Sequence, residues 1–438
     1  MTRSTALALQ FELYETVTED APLRSDTTST FADNLSLPIH RWFRYSAGFS
    51  APWARQLIDQ EKAKGRRTVL DPFSGSGTTI IEGEGAGLHS IGIEAHPFVA
   101  RIARAKLKWR SDAPAFREFA ERVLRRAMSV ESTIKLSDQP KLLNQCFPPE
   151  TLTALLSLRT AWSNLCNDTA ASELTWLALM ASLRECSPVG TAQWQYVLPN
   201  KSKARSGDPF TAFARKVALF ASDMETRQCF TNGPQAEVHQ DDARTCQTIP
   251  NGWADLIVTS PPYANNYDYA DATRLEMTFA GEITGWGDLQ KSVRQYLIRS
   301  CSQHVAPIKS QTQEILAAPL LEPIRSEIIE VCRLLEIEKD LHGGKKPYHT
   351  MIAAYFSDMA AMWVSLRRVS SPGALVCFVI GDSAPYGVYV PVDRWLGTLA
   401  VAAGFRSFSF VKTRDRNIKW KNRKHRVPLQ EGRLWVEG

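Results

Sequence analysis

Two short motifs, far apart in the chain, hold the residues best suited to chemistry. The first is Leu70-Asp71-Pro72-Phe73-Ser74-Gly75-Ser76-Gly77-Thr78-Thr79, and the second is Thr259-Ser260-Pro261-Pro262-Tyr263. Each follows a short apolar run of the kind that forms a buried strand. In the first, Gly75 and Gly77 suit a tight turn between strand and helix, where the backbone reverses while approaching a ligand and glycine is the least strained choice. The third glycine of the dinucleotide fingerprint is missing, because position 80 is Ile, and the Gly-Lys-Ser/Thr of a phosphate-binding loop is replaced by Gly77-Thr78-Thr79. Nicotinamide chemistry and nucleoside-triphosphate hydrolysis therefore fit poorly. In the second motif the Ser260 hydroxyl and the Pro261 carbonyl offer two hydrogen-bond acceptors. Pro261 and Pro262 stiffen the loop and remove competing backbone donors, and Tyr263 adds an aromatic face.

The surrounding pattern supplies elements to position them. Thr68-Val69-Leu70 reads as a strand, the stretch after Gly77 as a helix through Ile80 and Ile81, and Ser90-Ile91-Gly92-Ile93 as a second strand ending at Glu94. Strand, turn, helix, strand is a βαβ unit, and the chain is expected to be α/β. The α/β pattern resumes with Val238 leading to Asp241-Asp242, then with Asp255-Leu256-Ile257-Val258 leading into the second motif. The run Gly373-Ala374-Leu375-Val376-Cys377-Phe378-Val379-Ile380 is continuous enough for a parallel strand buried on both faces. Residues 1–33 read as a flexible tail, 34–110 as the first half of the core, and 111–235 as a helical insertion. Residues 236–280 carry the second motif, 281–347 form a second helical insertion, and 348–438 hold the closing strands and a basic segment.

Bulk properties leave a globular chain. Its 438 residues are 44% apolar, enough for a normal core, and no apolar run nears the roughly 20 residues that span a bilayer. The amino terminus lacks the apolar stretch of a secretion signal, so a cytoplasmic location is expected. The eight cysteines are scattered, with no Cys-x-x-Cys pair and no metal-ligand spacing, and read as reduced thiols. The net charge of +6 is concentrated: residues 412–426 hold eight Lys or Arg against one Asp, leaving the rest of the chain at −1. A basic stretch with Trp420 inside it suits a polyanion such as a nucleic-acid backbone. Gln193-Trp194-Gln195-Tyr196 followed by Lys201-Ser202-Lys203-Ala204-Arg205 reads as a second basic loop with aromatics.

Together, the two motifs resemble those of the S-adenosylmethionine-dependent DNA amino-methyltransferases of the cytosine-N4 and adenine-N6 family, in their Ser-Pro-Pro-Tyr form. The resemblance covers roughly residues 34–110 and 236–438 and implies a Rossmann-like, seven-stranded class I methyltransferase sheet with large helical insertions. It implies a cofactor site at Asp71, Phe73, Gly75, Gly77 and Thr78, with Phe49 and Ser50 at the cofactor's amino acid end. Glu94, seventeen residues after Gly77, would accept both ribose hydroxyls. Asp242 would take the adenine amino group, with Asp241 as the competing position. Ser260, Pro261, Pro262 and Tyr263 become the catalytic loop, where two acceptors would localise the lone pair of an exocyclic amine on a base swung out of the duplex. Asn265, Asn266, Tyr267 and Tyr269 continue this loop.

Methylation of cytosine carbon 5 needs a Pro-Cys nucleophile in its own family, and no cysteine here follows a proline. In the amino-methyltransferase family a leading Ser is commoner on cytosine N4 and a leading Asp or Asn on adenine N6. The expected reaction is N4 methylation of cytosine in double-stranded DNA, in a restriction-modification or related defence setting with a cognate endonuclease or other subunits as companions. Adenine-N6 methylation, an RNA base-amine methyltransferase and a silent nucleic-acid-binding subunit are the alternatives. Trp194, Tyr196, Lys201, Lys203 and Arg205 are the expected sequence-reading contacts, and Lys419, Lys421, Arg423, Lys424 and Arg426 the phosphate contacts. Neutralising Arg423, Lys424 and Arg426 together is expected to lower the slope of log affinity for DNA against log salt by about 0.9 for each phosphate no longer neutralised; an unchanged slope in a salt titration would remove the segment from the interface.

Overall fold

The computed structural model describes residues 31–45, 48–189, 206–229, 233–416 and 427–438. Trp194, Tyr196, Lys201, Lys203, Arg205, Lys419, Lys421, Arg423, Lys424 and Arg426 lie outside the described residues. Seven strands form one sheet: β1 (Thr68–Asp71), β2 (His89–Ile93), β3 (Glu237–His239), β4 (Ala254–Thr259), β5 (Ser370–Gly381), β6 (Ser407–Arg416) and β7 (Leu429–Glu437). Their order is β3-β2-β1-β4-β5-β7-β6. The first five are parallel, and β7 runs antiparallel between β5 and β6. Among the described residues, the helices of seven residues or more are α1 (Ala51–Ala63), α2 (Thr78–Gly85), α3 (Pro97–Lys106), α4 (Ala113–Val130), α5 (Pro149–Leu165), α6 (Ala170–Cys186), α7 (Pro209–Gln228), α8 (Arg274–Ala280), α9 (Arg325–Leu341), α10 (Tyr348–Val369) and α11 (Val392–Ala402).

Strand alternation divides the core. Val69, Leu256, Val258, Leu375, Cys377 and Trp435 face Trp53 and Leu57 of α1, while Leu70, Ile257, Val376, Phe378 and Leu434 face α10 and α11. Burial on both sides accounts for the unbroken apolar run of β5. Helices α4 to α7 enter the chain between β2 and β3 and build a third cluster around Phe116, Trp176 and Phe220. Asp223 of α7 fastens the segment before α1 to this cluster, accepting from Ile39 N at 3.2 Å, Trp42 Nε1 at 2.8 Å and Arg41 Nε at 3.1 Å. No helix among the described residues is long and apolar enough to cross a membrane.

The strand order reverses between β1 and β4. From β1 the chain travels outward to β2 and β3, then returns to the other side of β1 with β4 and β5. Open parallel sheets hold ligands beyond the carboxyl ends of the strands at such a reversal. The two chemistry-bearing motifs follow these two neighbouring strands. The close approach of α2 to β1 and β2 depends on Gly83, where an added Cβ would meet Ser90 Oγ and lie 2.5 Å from Val69 Cγ1. Gly83→Ala is expected to cost about 1 to 3 kcal/mol of stability, read as a lower midpoint in denaturant unfolding.

Candidate active site

The turn after β1 folds down onto the end of β2. Ser74 N donates to Ile93 O at 2.9 Å, and Gly75 N donates to Glu94 Oε2 at 2.8 Å. Gly75 has φ 51°, and a Cβ there would sit 3.2 Å from the Tyr45 ring, so the residue must be both left-handed and small. Gly77, at φ 95°, opens α2. The neighbouring loop is tied across the sheet: Thr259 Oγ1 donates to Asp71 Oδ1 at 2.5 Å, and Thr79 Oγ1 donates to Val258 O at 3.0 Å.

A single cleft opens over these strand ends. Of the cofactor residues expected from sequence, Phe49, Phe73, Gly75, Thr78, Glu94 and Asp242 line it; of the catalytic loop, Ser260 and Pro262 line it. Ser50, Asp71, Gly77, Pro261 and Tyr263 are not on its wall. Ser50 instead caps α1, accepting from Trp53 N at 3.4 Å. Asp71 supports the turn from below, accepting also from Phe73 N at 3.0 Å. The Tyr263 ring is covered by the Arg416 guanidinium, 5.2 Å from its centroid, and Arg416 Nη1 donates to Asp382 O at 2.8 Å. The aromatic wall comes from Tyr45, Phe49, Phe73, Tyr269 and Tyr296 instead.

Asp241 and Asp242 are placed differently. Asp241 is consumed locally, accepting Asp242 N at 2.7 Å and both Thr248 N and Oγ1 at 2.8 Å. Asp242 lines the cleft and is held by Arg244, whose Nη2 lies 2.6 Å from Oδ2. Glu94 is also held from below, with His96 N donating to Oε1 at 2.8 Å. Each Glu94 oxygen keeps a lone pair for a ligand hydroxyl. Burial raises Glu94 to about 7 against the pull of its backbone donors, and raises Asp71 to about 6 against hydroxyl and backbone donors. Burial drives the His96 imidazole down to about 3, so the ring is neutral, with Nε2 2.9 Å from Thr273 Oγ1.

The second motif is braced on several sides. Ser260 Oγ donates to Val379 O at 3.0 Å, Tyr355 Oη donates to Pro262 O at 2.9 Å, and Tyr263 N donates to Tyr269 Oη at 3.1 Å. Ser383 Oγ donates to Ala264 O. Tyr296, Leu297 and Ile298 reach the cleft from the second helical insertion. Sequence reasoning missed them, and nothing in their local pattern marks them. It also passed over Tyr45 and His96, although both stand within a few positions of assigned residues.

With the carboxylates Glu94 and Asp242 on it, the wall suits a cofactor with hydroxyl and amino groups. Two of its residues, Ser74 and His96, hold buried polar atoms, Oγ and Nδ1, without a hydrogen-bond partner among the described residues, and such atoms are rare unless a ligand or water meets them. Comparison with known proteins points the same way. Residues 24–105 match the family model described as DNA methylase, of the N6/N4 type. The chain is 26% identical over 401 residues to the Type II methyltransferase M.AvaI of Nostoc sp., and equally to that of Anabaena variabilis, covering 86% of this chain and 81% of the relative. It is 25% identical over 430 residues to the Type II methyltransferase M.BsoBI of Geobacillus stearothermophilus, covering 88% and 82%.

The raised Asp71 carboxyl sets a pH signature. Its unfolded value of 3.8 lies below its folded value of about 6, so the folded state is progressively disfavoured as pH rises from about 4 to 6 and the loss is constant above. Asp71→Asn keeps an oxygen for Thr259 while removing the charge. Thermal melts should show its pH dependence flattened across that window, by on the order of 1.4 kcal/mol per pH unit, with a higher midpoint than the wild type at pH 8.

Proposed function

We propose that this chain, similar to the N6/N4-type DNA methylases and Type II methyltransferases, is an amino-methyltransferase that transfers a methyl group from S-adenosylmethionine to an exocyclic amine in double-stranded DNA, with cytosine N4 as the acceptor. The reading is carried by one observation: Ser260 and Pro262 line the same cleft as Gly75, Glu94 and Asp242. Glu94 would hold the ribose hydroxyls and Asp242 the adenine amino group, with Tyr296 and Ile298 against the adenine. Bound here, S-adenosylmethionine supplies an electrophilic methyl group on a sulfonium centre.

The chain's own work is to make a poor nucleophile competent. The lone pair of an exocyclic amine is delocalised into its ring, and holding both amine hydrogens out of the plane frees it. The hydroxyl hydrogen of Ser260 is already committed to Val379 O, so its oxygen faces a substrate only as an acceptor. The Pro262 carbonyl is occupied by Tyr355; the Pro261 carbonyl, set between Ser260 and Pro262 of the wall although not itself lining it, accepts no hydrogen bond among the described residues and would serve as the second acceptor once a base is seated. With both hydrogens held, the nitrogen attacks in line and one amine proton passes to water after transfer. Tyr269 offers the face on which an everted base would stack.

The leading Ser of the motif favours cytosine over adenine. Both amines carry two hydrogens, so the product settles the choice. Mass spectrometry of nucleosides from DNA incubated with enzyme and cofactor should show N4-methylcytosine; N6-methyladenine would move the target to adenine, and label appearing only in RNA would overturn the DNA assignment. Ser260→Ala should lower single-turnover transfer by about 10² to 10³ while cofactor binding stays intact. Tyr355→Phe, which frees the Pro262 carbonyl, should lower it by about tenfold, the worth of one hydrogen bond.

A further inference from the structure

A second cleft, of about 610 Å³, shares a stretch of chain with the first: the segment that puts Tyr45 on the active-site wall puts Arg41 and Arg44 on the wall of the other. Helices α6 and α7 supply Arg184, Glu185, Arg215 and Lys216, and α8, which follows the catalytic loop, supplies Glu276. Most of these charges are matched. Arg184 Nε pairs with Glu276 at 2.5 Å, Arg215 pairs with Glu185, and Arg41 pairs with Asp223. Arg44 and Lys216 have no carboxylate partner among the described residues. The wall therefore holds five cations, three carboxylates answer three of them, and an excess of two positive charges lines the cleft.

This excess is not a fully solvated pair. Lys216 is half-buried, and its burial together with the positive charges of Arg215 and Arg41 holds the ammonium below its ordinary range. A partly desolvated cation among cations is stabilised by an anion more than a surface lysine would be. Ser206 and Gly207 on the wall follow directly in sequence on the basic run Lys201-Ser202-Lys203-Ala204-Arg205, and Gly207 N is fixed to Glu185 O at 3.1 Å.

We propose that this second cleft is a binding site for the phosphodiester backbone of the nucleic-acid substrate, with Arg44 and Lys216 as its phosphate contacts. The proposal rests on the reading of the first cleft as a base-methylating site, because a duplex presenting one base there must lay its flanking phosphates on adjoining protein. Phosphate contacts of this kind set register and carry no sequence information. A free polyphosphate shares the same chemistry, and the test separates the two.

Anisotropy titrations of a labelled duplex across salt concentrations would compare the wild type with Arg44→Gln/Lys216→Gln and with the charge-conserving Arg44→Lys/Lys216→Arg. Neither residue pairs with a carboxylate among the described residues, so the neutral variant leaves the cleft's three ion pairs in place. It should lower the slope of log affinity against log salt by about 1.8 and weaken binding at 0.1 M salt on the order of tenfold or more, while calorimetric S-adenosylmethionine binding is unchanged. The charge-conserving variant should restore most of both. Retained slope and affinity in the neutral variant, in a wild type that methylates DNA, would overturn the proposal alone. A wild type that transfers no methyl group but shows a shallower slope on neutralisation would keep it and remove the methyltransferase reading. Saturable pyrophosphate binding, abolished in the neutral variant with the DNA slope unchanged, would overturn it in favour of a free anion.

Discussion

The hydrogen bond from Thr259 Oγ1 to Asp71 Oδ1, 2.5 Å across neighbouring strands, is the joint on which the site depends. It links the last residue of β1 to the last residue of β4, and therefore the glycine turn to the Ser-Pro-Pro-Tyr loop. Thr79 adds a second tie by donating to Val258 O. A ligand in the turn and a base against Ser260 are thus held by one body. Because side chains alternate along a strand, a slip of one residue between β1 and β4 would turn Leu256, Ile257 and Val258 to the wrong faces and break the joint. Burial on both faces is what fixes the register.

Preorganisation then comes from groups that never touch a substrate. Tyr355, Ser383, Val379 and Arg416 each occupy a donor or acceptor of the second loop or cover its tyrosine, leaving few alternative arrangements for its two acceptors. The cleft carboxylates are treated alike. Asp242 is neutralised by Arg244, and Glu94 is held by two backbone N–H groups, so both are fixed in direction before any ligand arrives. Burial raising Glu94 to about 7 shows that these donors do not fully replace water. The site keeps some unmet demand for hydrogen-bond donors.

The parallel heart of the sheet was readable in the sequence because β1, β2, β4 and β5 carry apolar runs ended by glycine, proline or acidic residues. The run beginning at Gly373 lies inside β5, and the turn at Gly75 and Gly77 follows β1 directly. The cleft was only partly readable. A motif reports which residues are near a site but not which way each faces, so Phe49 and Ser50 were equivalent on paper although Ser50 caps a helix. Asp242 was preferred and Asp241 kept as its competitor on resemblance alone, and only the fold shows that Thr248 claims Asp241. Tyr263 looked like the aromatic wall because it ends the motif, and only tertiary packing brings Arg416 over it. Tyr296 to Ile298 carry no local signal at all, since their place in the cleft is set by how an insertion folds back.

The joint between Thr259 and Asp71 closes a separation of 188 positions, much of it occupied by α4 to α7. For a flexible connection the entropy of closing such a loop grows only with the logarithm of its length, about 0.6 kcal/mol for each doubling. Helices that fold on themselves shorten the effective tether further. Polymer statistics therefore place almost no limit on what can be spliced between the two halves of the site, provided the splice begins and ends at the same sheet edge. Chain length can drift here while the spacing between donor and acceptor stays fixed to within a bond length.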